Sequence, residues 1–390
     1  MPRSLVTLVA AAVLAGCAAE PGSPGQEPVD PPAGPGRLVI VGGALSPENA
    51  AVYQAIVEAR EGEGPLCVIP TASGDPVASM ESARQTLARY AGADAVQGVL
   101  LSTEDPGRAN APEVAAELEG CSGFYFTGGA QSRVVDVFLP PGDTTAAYRA
   151  LWSRWQAGAV VAGSSAGAAM MSRVMIASGG SADAVEHGLA AQEDGEGVRI
   201  TSGMGFFPAA ILDQHFLARG RWGRLLVAAL TTDSLPLGLG IDENTALVVD
   251  GASGRVVGAS GVVVVDGRGA GRVGVGRGTG VRVSLAGAGD VVDLTSFQVR
   301  RAPGKVPLPE VDGPIHGPDD PFGRWAFLRL VADLAGSSGT GADFAVGGAL
   351  LRLREADGFS AAMEALEGGV EGTPAGFSAG PWLVDLVPQG

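Results

Sequence analysis

The chain has 390 residues, 46% of them hydrophobic and 17% charged, a balance that supports a large buried core and excludes a globally disordered polymer. Its formal net charge is −16, so it lacks the excess of lysine and arginine with which nonspecific nucleic-acid binders displace phosphate counterions. Three cysteines are too few for a disulfide framework.

The first segment reads MPRSLVTLVAAAVLAGCAAE. Arg3, an apolar run from Leu5 to Leu14 and small residues ending at Cys17 make residues 1–17 a secretory signal, too short for a comfortable membrane span. Leu14-Ala15-Gly16-Cys17 resembles a bacterial lipobox, in which the cysteine is lipidated and becomes the mature N-terminus. The expectation is an exported protein, lipid-anchored to the bacterial cell envelope on its periplasmic or outer side, with no other contact to the membrane. Residues 18–36, dense in proline and glycine, read as a tether.

From Arg37 the pattern changes to short apolar runs, RLVIVGG, GPLCVIPTAS, AVQGVLLS, GFYFTGG and AVVAGSSAG. Helical candidates at Pro47–Arg60, Val77–Ala91 and Tyr148–Trp155 fall between several of them. This alternation predicts an α/β domain over 37–302 with a mostly parallel sheet, and places functional residues at the strand C-termini. Cys67 and Cys121 lie in apolar segments where buried free thiols are the expected state, with a disulfide as the alternative an oxidising compartment permits. After Leu237 the run IDENTALVVDGASGRVVGASGVVVVDG is divided by glycine turns and predicts antiparallel strands late in the domain. Residues 303–390 read as a proline-rich linker and a C-terminal extension of unknown role. Within it, Asp320 and Pro321 are placed to start a helix that Gly336 ends.

Gly163-Ser164-Ser165-Ala166-Gly167 fits G-x-S-x-G. In a chain with 61 glycines the pentapeptide alone is weak, but an apolar strand precedes it and a run of small residues follows. A strand turning sharply into a helix tolerates only small neighbours and projects the serine hydroxyl above the sheet edge. That makes Ser165 the candidate nucleophile, with the backbone N–H of Ala166 facing any oxyanion. A serine needs a base, which in turn needs an orienting carboxylate. Of the three histidines, His187 sits in a polar segment and His316 in the linker, whereas His215 follows the apolar run PAAILDQHF. His215 is therefore the best placed. Just past another apolar run stand Asp242 and Glu243, of which Glu243 is favoured and Asp242 is the alternative. The order serine, histidine, acid differs from that of common α/β-hydrolases, and His316 as base would restore the common order.

Four separated segments, FTGGAQSR, AGSSAGA, LDQHFLARGRWGRL and GIDENTALVV, resemble cyanophycinase, in the serine-peptidase family that also holds aspartyl dipeptidase. The resemblance spans about residues 37–300. It implies a three-layer α/β sandwich related to class I glutamine amidotransferases, with Ser165, His215 and Glu243 as the triad and no metal or organic cofactor. Gly129 on the FTGG turn would supply the second oxyanion N–H beside that of Ala166. Gln131, Asp213, Gln214, Arg219, Arg221 and Arg224 would line the substrate pocket, arginine forks pairing with carboxylates and an aspartate receiving a guanidinium. The implied reaction is exopeptidase cleavage of cyanophycin, a poly-aspartate carrying arginine on its side-chain carboxyls, to β-Asp-Arg dipeptides. The implied assembly is a homodimer. An aspartyl dipeptidase acting on small acidic peptides and a noncatalytic surface-binding lipoprotein are the rival readings. Two departures stand out: Ala130 where the family commonly shows an aspartate, and Ser164 where it shows threonine.

Overall fold

The computed structural model describes residues 35–192, 195–309, 318–364, 370, 373 and 375–389. The signal, Cys17, the tether up to Gly34, and His316 lie outside the described residues.

Two sheets share one core. In the first, β1 (Leu38–Val41), β2 (Leu66–Ile69), β3 (Val96–Gly98), β4 (Gly123–Phe126) and β5 (Val160–Ser164) are all parallel, in the order β1-β5-β4-β2-β3. The second contains β6 (Val174–Ser178), β7 (Arg199–Ser202), β8 (Ile211–Asp213) and β9 (Leu237–Ile241), with β8 parallel to both β6 and β9. The glycine-divided run then forms β10 (Thr245–Asp250) and β11 (Ser253–Gly258), which return antiparallel to the first sheet beside β1, and β12 (Gly261–Asp266), antiparallel to β9 in the second. The late antiparallel strands are thus shared between two sheets.

Pleating explains the layers. Leu38 and Ile40 of β1 face a core shared with the helices Pro112–Glu119, Gln131–Phe138 and Ala146–Gln156 and with strands of the second sheet, and Val39 and Val41 face the helices Ala50–Glu58 and Pro76–Ala91 on the other side. Along β12, Val262 and Val264 enter the central core, whereas Val263 and Val265 meet the helices Trp222–Thr231 and Ala326–Ala335. Strands buried on both faces read as continuous apolar runs, as the sequence does here.

Helix starts follow their caps. Asn49 accepts from the amide of Val52 and Asp75 from that of Ala78, so the first helix begins at Ala50, later than the predicted Pro47. The third predicted helix is Ala146–Gln156, capped by Thr145.

Two expectations are corrected. Cys67 and Cys121 form a disulfide and are not free thiols. Parallel pairing sets Leu66 opposite Gly123, which carries the neighbouring cysteines to a Cα separation of 6.0 Å. The helix expected from Asp320 starts only at Ala326. Asp320 instead closes a turn by accepting from Phe322, and Trp325 takes a left-handed conformation that separates the turn from the helix. Gly336 does follow the last helical residue.

The C-terminal segment is built into the second sheet. The strand Ser378–Pro388 pairs with Arg277–Gly287, and Ala349–Met363 pairs with Ser378–Pro388 in turn. Trp382, Val384 and Leu386 are fully buried there.

Candidate active site

The C-terminal ends of β5, β8 and β9 meet beside β1, and three far-apart segments converge there. Ser165 follows β5 with φ 57° and ψ −112°, a strained turn that lifts its hydroxyl out of the sheet before the helix Ala166–Ala169. Close approach demands glycine on both sides. A Cβ on Gly163 would lie 2.3 Å from the Gly167 carbonyl oxygen, and one on Gly167 would lie 2.4 Å from that of Phe126. Ser164 faces the other way, bonded to the Tyr125 hydroxyl.

His215 follows β8. Its Nε2 lies 2.9 Å from Ser165 Oγ and its Nδ1 lies 2.6 Å from Glu243 Oε1. Asp242, the alternative acid, turns away. Its buried carboxylate accepts from the amide of Ala218 at 2.8 Å, from Ser260 Oγ at 2.7 Å and from the Trp325 indole at 3.1 Å. Burial raises the Asp242 pKa and these donors oppose the rise. His187 stands apart from the serine, among Asp183, Glu186 and Glu196.

Sequence reasoning missed the organiser of the site, the turn Val41-Gly42-Gly43 at the end of β1. Three successive carbonyls there each hold one incoming segment: Val41 accepts from the Ser165 amide at 3.0 Å, Gly42 from His215 at 2.7 Å and Gly43 from Asn244, next to Glu243, at 2.8 Å. Gly43 has φ 107°, and a Cβ there would lie 2.4 Å from the imidazole. The double glycine in RLVIVGG was the available signal. Ser165, His215 and Asn244 all have positive φ, so backbone strain is concentrated where these segments meet.

The imidazole is biased toward its neutral form. Burial is the largest cause of its lowered pKa; Glu243 pulls the other way, and the Arg219 and Arg221 charges push it down further. Arg219, whose side chain is 53% exposed, sets Nη2 3.3 Å from His215 Nε2 and Nε 3.7 Å from Glu243 Oε1. Arg221 donates to the Gln214 carbonyl and its pKa is pushed down to about 10 by burial.

The remaining predicted pocket residues divide into two groups. Gln214 places Oε1 3.4 Å from Ser165 Oγ, and Gln131 bonds the Ile176 carbonyl at 2.8 Å. Asp213 and Arg224 are buried and face each other in a two-pronged pair at 2.5 and 2.7 Å, and Arg224 also bonds the Gly179 carbonyl. The FTGG turn reaches the serine: a Cβ on Gly128 would sit 3.4 Å from that of Ser165, and Gly129, φ 145°, packs against the Ala72 carbonyl. Ala130 precedes the helix Gln131–Phe138 and offers it no side-chain cap. Among the described residues no cluster of three or more metal-ligating side chains occurs.

A serine on a strand-to-helix elbow, bonded to an imidazole that is bonded to a carboxylate, is the arrangement of serine-type hydrolases. The sequence model of peptidase family S51 matches residues 38–257. The chain belongs to this family and is a cyanophycinase-like serine-type peptidase. It is 32% identical to cyanophycinase from Synechococcus elongatus over 237 residues, covering 60% of this chain and 69% of that one. Cyanophycinase from Trichormus variabilis is 32% identical over 233 residues, covering 59% and 73%. A crystal structure of a peptidase from an acI-B1 Actinobacterium aligns with 59% of this chain and 90% of its own at 23% identity and a TM-score of 0.46.

Proposed function

We propose that this chain is an exopeptidase that hydrolyses cyanophycin, or a closely related β-aspartyl peptide, to β-Asp-Arg dipeptides. The unbroken line of contacts from Ser165 through His215 to Glu243 carries the reading, and the cyanophycinase relatives supply the substrate class. Neutral His215 takes the Oγ proton as Ser165 attacks the scissile carbonyl, and Glu243 stabilises the imidazolium. The oxyanion lies against the N–H groups of Gly129 and Ala166. The imidazolium then returns its proton to the leaving amine, and the same imidazole activates the water that splits the acyl-enzyme. These proton transfers call for no metal or organic cofactor.

Exposed Arg219 receives a substrate carboxylate, and Gln214, with Oε1 3.4 Å from Ser165 Oγ, borders the reacting bond. Arg221 acts through the Gln214 carbonyl. The Asp213–Arg224 pair holds the backbone leading into His215.

The test is mass analysis of soluble products from cyanophycin. The wild type releases β-Asp-Arg, and Ser165→Ala lowers turnover by about 10³-fold or more; undiminished turnover in the variant would refute the mechanism. Turnover of small acidic dipeptides but not of polymer would instead assign an aspartyl dipeptidase. A wild-type serine inert to both substrates and to a fluorophosphonate would leave a noncatalytic binding lipoprotein.

The lipobox motif at Cys17 supports export and lipid anchoring, which would bring the enzyme to a polymer too large to enter its cell. The Cys67–Cys121 disulfide accords with an oxidising compartment. Proteolysis of intact and of permeabilised cells separates surface from periplasmic placement; recovery in the cytosolic fraction defeats both.

A further inference from the structure

We propose that Trp325, which lies beyond the stretch matched by the family, is a positioning residue for the loop that carries His215, acting through Asp242. The proposal rests on the reading of Ser165 and His215 as nucleophile and base.

Residues 321–325 lie along the loop after His215 as a strap. The Trp222 indole donates to the Pro321 carbonyl at 2.7 Å, and the amide of Trp325 donates to the Leu217 carbonyl at 2.8 Å. A Cβ on Gly220 would lie 1.9 Å from the Phe322 carbonyl oxygen, and one on Gly223 would lie 2.6 Å from the Phe322 ring. Gly220 of the loop and Gly223 in the first turn of the helix that follows it are therefore both required by contact with the strap. Trp325 itself has φ 49°, a conformation L residues rarely adopt, and the Arg324 guanidinium stacks 4.0 Å from its ring centroid.

The indole N–H is aimed at Asp242, whose residue is fully buried. That one carboxylate joins three segments: Ala218, three residues after His215; Ser260, in the turn before β12; and Trp325. Its own chain neighbour is Glu243, which orients the imidazole. Asp242 therefore couples both partners of the Nδ1 contact to the strap, and losing one donor to a buried carboxylate lets both shift. Small displacements matter here because proton transfer from Ser165 depends on a short, aligned contact.

The test uses the full chain and a fluorophosphonate that acylates Ser165, resolving the maximal labelling rate from the concentration giving half of it. Trp325→Phe keeps an aromatic ring without the donor, and benzothienylalanine at 325 keeps the indole shape without it, should the phenylalanine variant fold poorly. Leu334→Ala, a buried position at the far end of the same helix, controls for general destabilisation. Expected is a fall of about fivefold in the maximal rate for either replacement at 325, with half-saturation unchanged and Leu334→Ala labelling like the wild type. Equal rates at 325 and in the wild type, or an equal loss in Leu334→Ala, overturn the proposal. A wild type that is not labelled at Ser165 overturns the catalytic reading instead.

Discussion

The residue scale is governed by how little room the imidazole has. Gly43 lies directly against it, with both a positive φ and a side-chain direction that the ring occupies. Gly43→Ala is expected to lower turnover by about 10²-fold, by displacing the ring from Ser165, and stability by about 1–3 kcal/mol; labelling rates and thermal melting read the two effects separately. Burial and the Arg219 and Arg221 charges also fix the proton chemistry. Since the His215 pKa lies below its ordinary 6.5, the proposed mechanism places the acid limb of the rate–pH profile below that value. An acid limb above 6.5 would contradict this placement. The same shift has a consequence for stability: as pH falls through 6.5 the unfolded chain takes up the proton first, so this histidine destabilises the fold on the acid side. At this scale Ser165 was legible because an elbow is made by consecutive residues. Gly43 was not, because its neighbour is 172 positions away in the chain.

At the scale of elements, apolar runs located the five parallel strands of the first sheet, since the four strands other than the edge strand β3 are buried on both faces and show themselves as uninterrupted runs. Helix starts were less legible where tertiary bonds competed with local caps, as at Asp320, where the Trp325–Leu217 and Trp325–Asp242 bonds hold a turn open. The role of the last strands was not readable at all. Ser378–Pro388 completes the pairing of Arg277–Gly287 and buries Trp382, and Lys305 forms a buried ion pair with Asp290 at 2.6 Å. A chain ending at Ala302 is expected to lose soluble, monodisperse protein in size-exclusion chromatography, because it exposes a long apolar strand edge and the helix face beneath. Recovery of a folded, active truncated chain would show that these strands are dispensable.

Across the whole molecule, the acidic balance, the α/β alternation and the serine on its elbow were determined by the sequence alone, because each depends on composition or on residues adjacent in the chain. The apolar run that becomes β8 was likewise legible, and it is His215, two residues beyond that strand, and not His187 that lies beside Ser165. Tertiary structure alone decided that Glu243 and not Asp242 meets the imidazole, that Cys67 and Cys121 pair, that Asp213 and Arg224 satisfy each other, and that the C-terminal strands belong to the second sheet. Those outcomes depend on how strands far apart in the chain are set against one another, within a sheet and between the two sheets. Spacing along the chain carries no record of that registration, since successive residues at the end of β9 point to opposite sides and only the neighbouring sheet determines which side holds the serine.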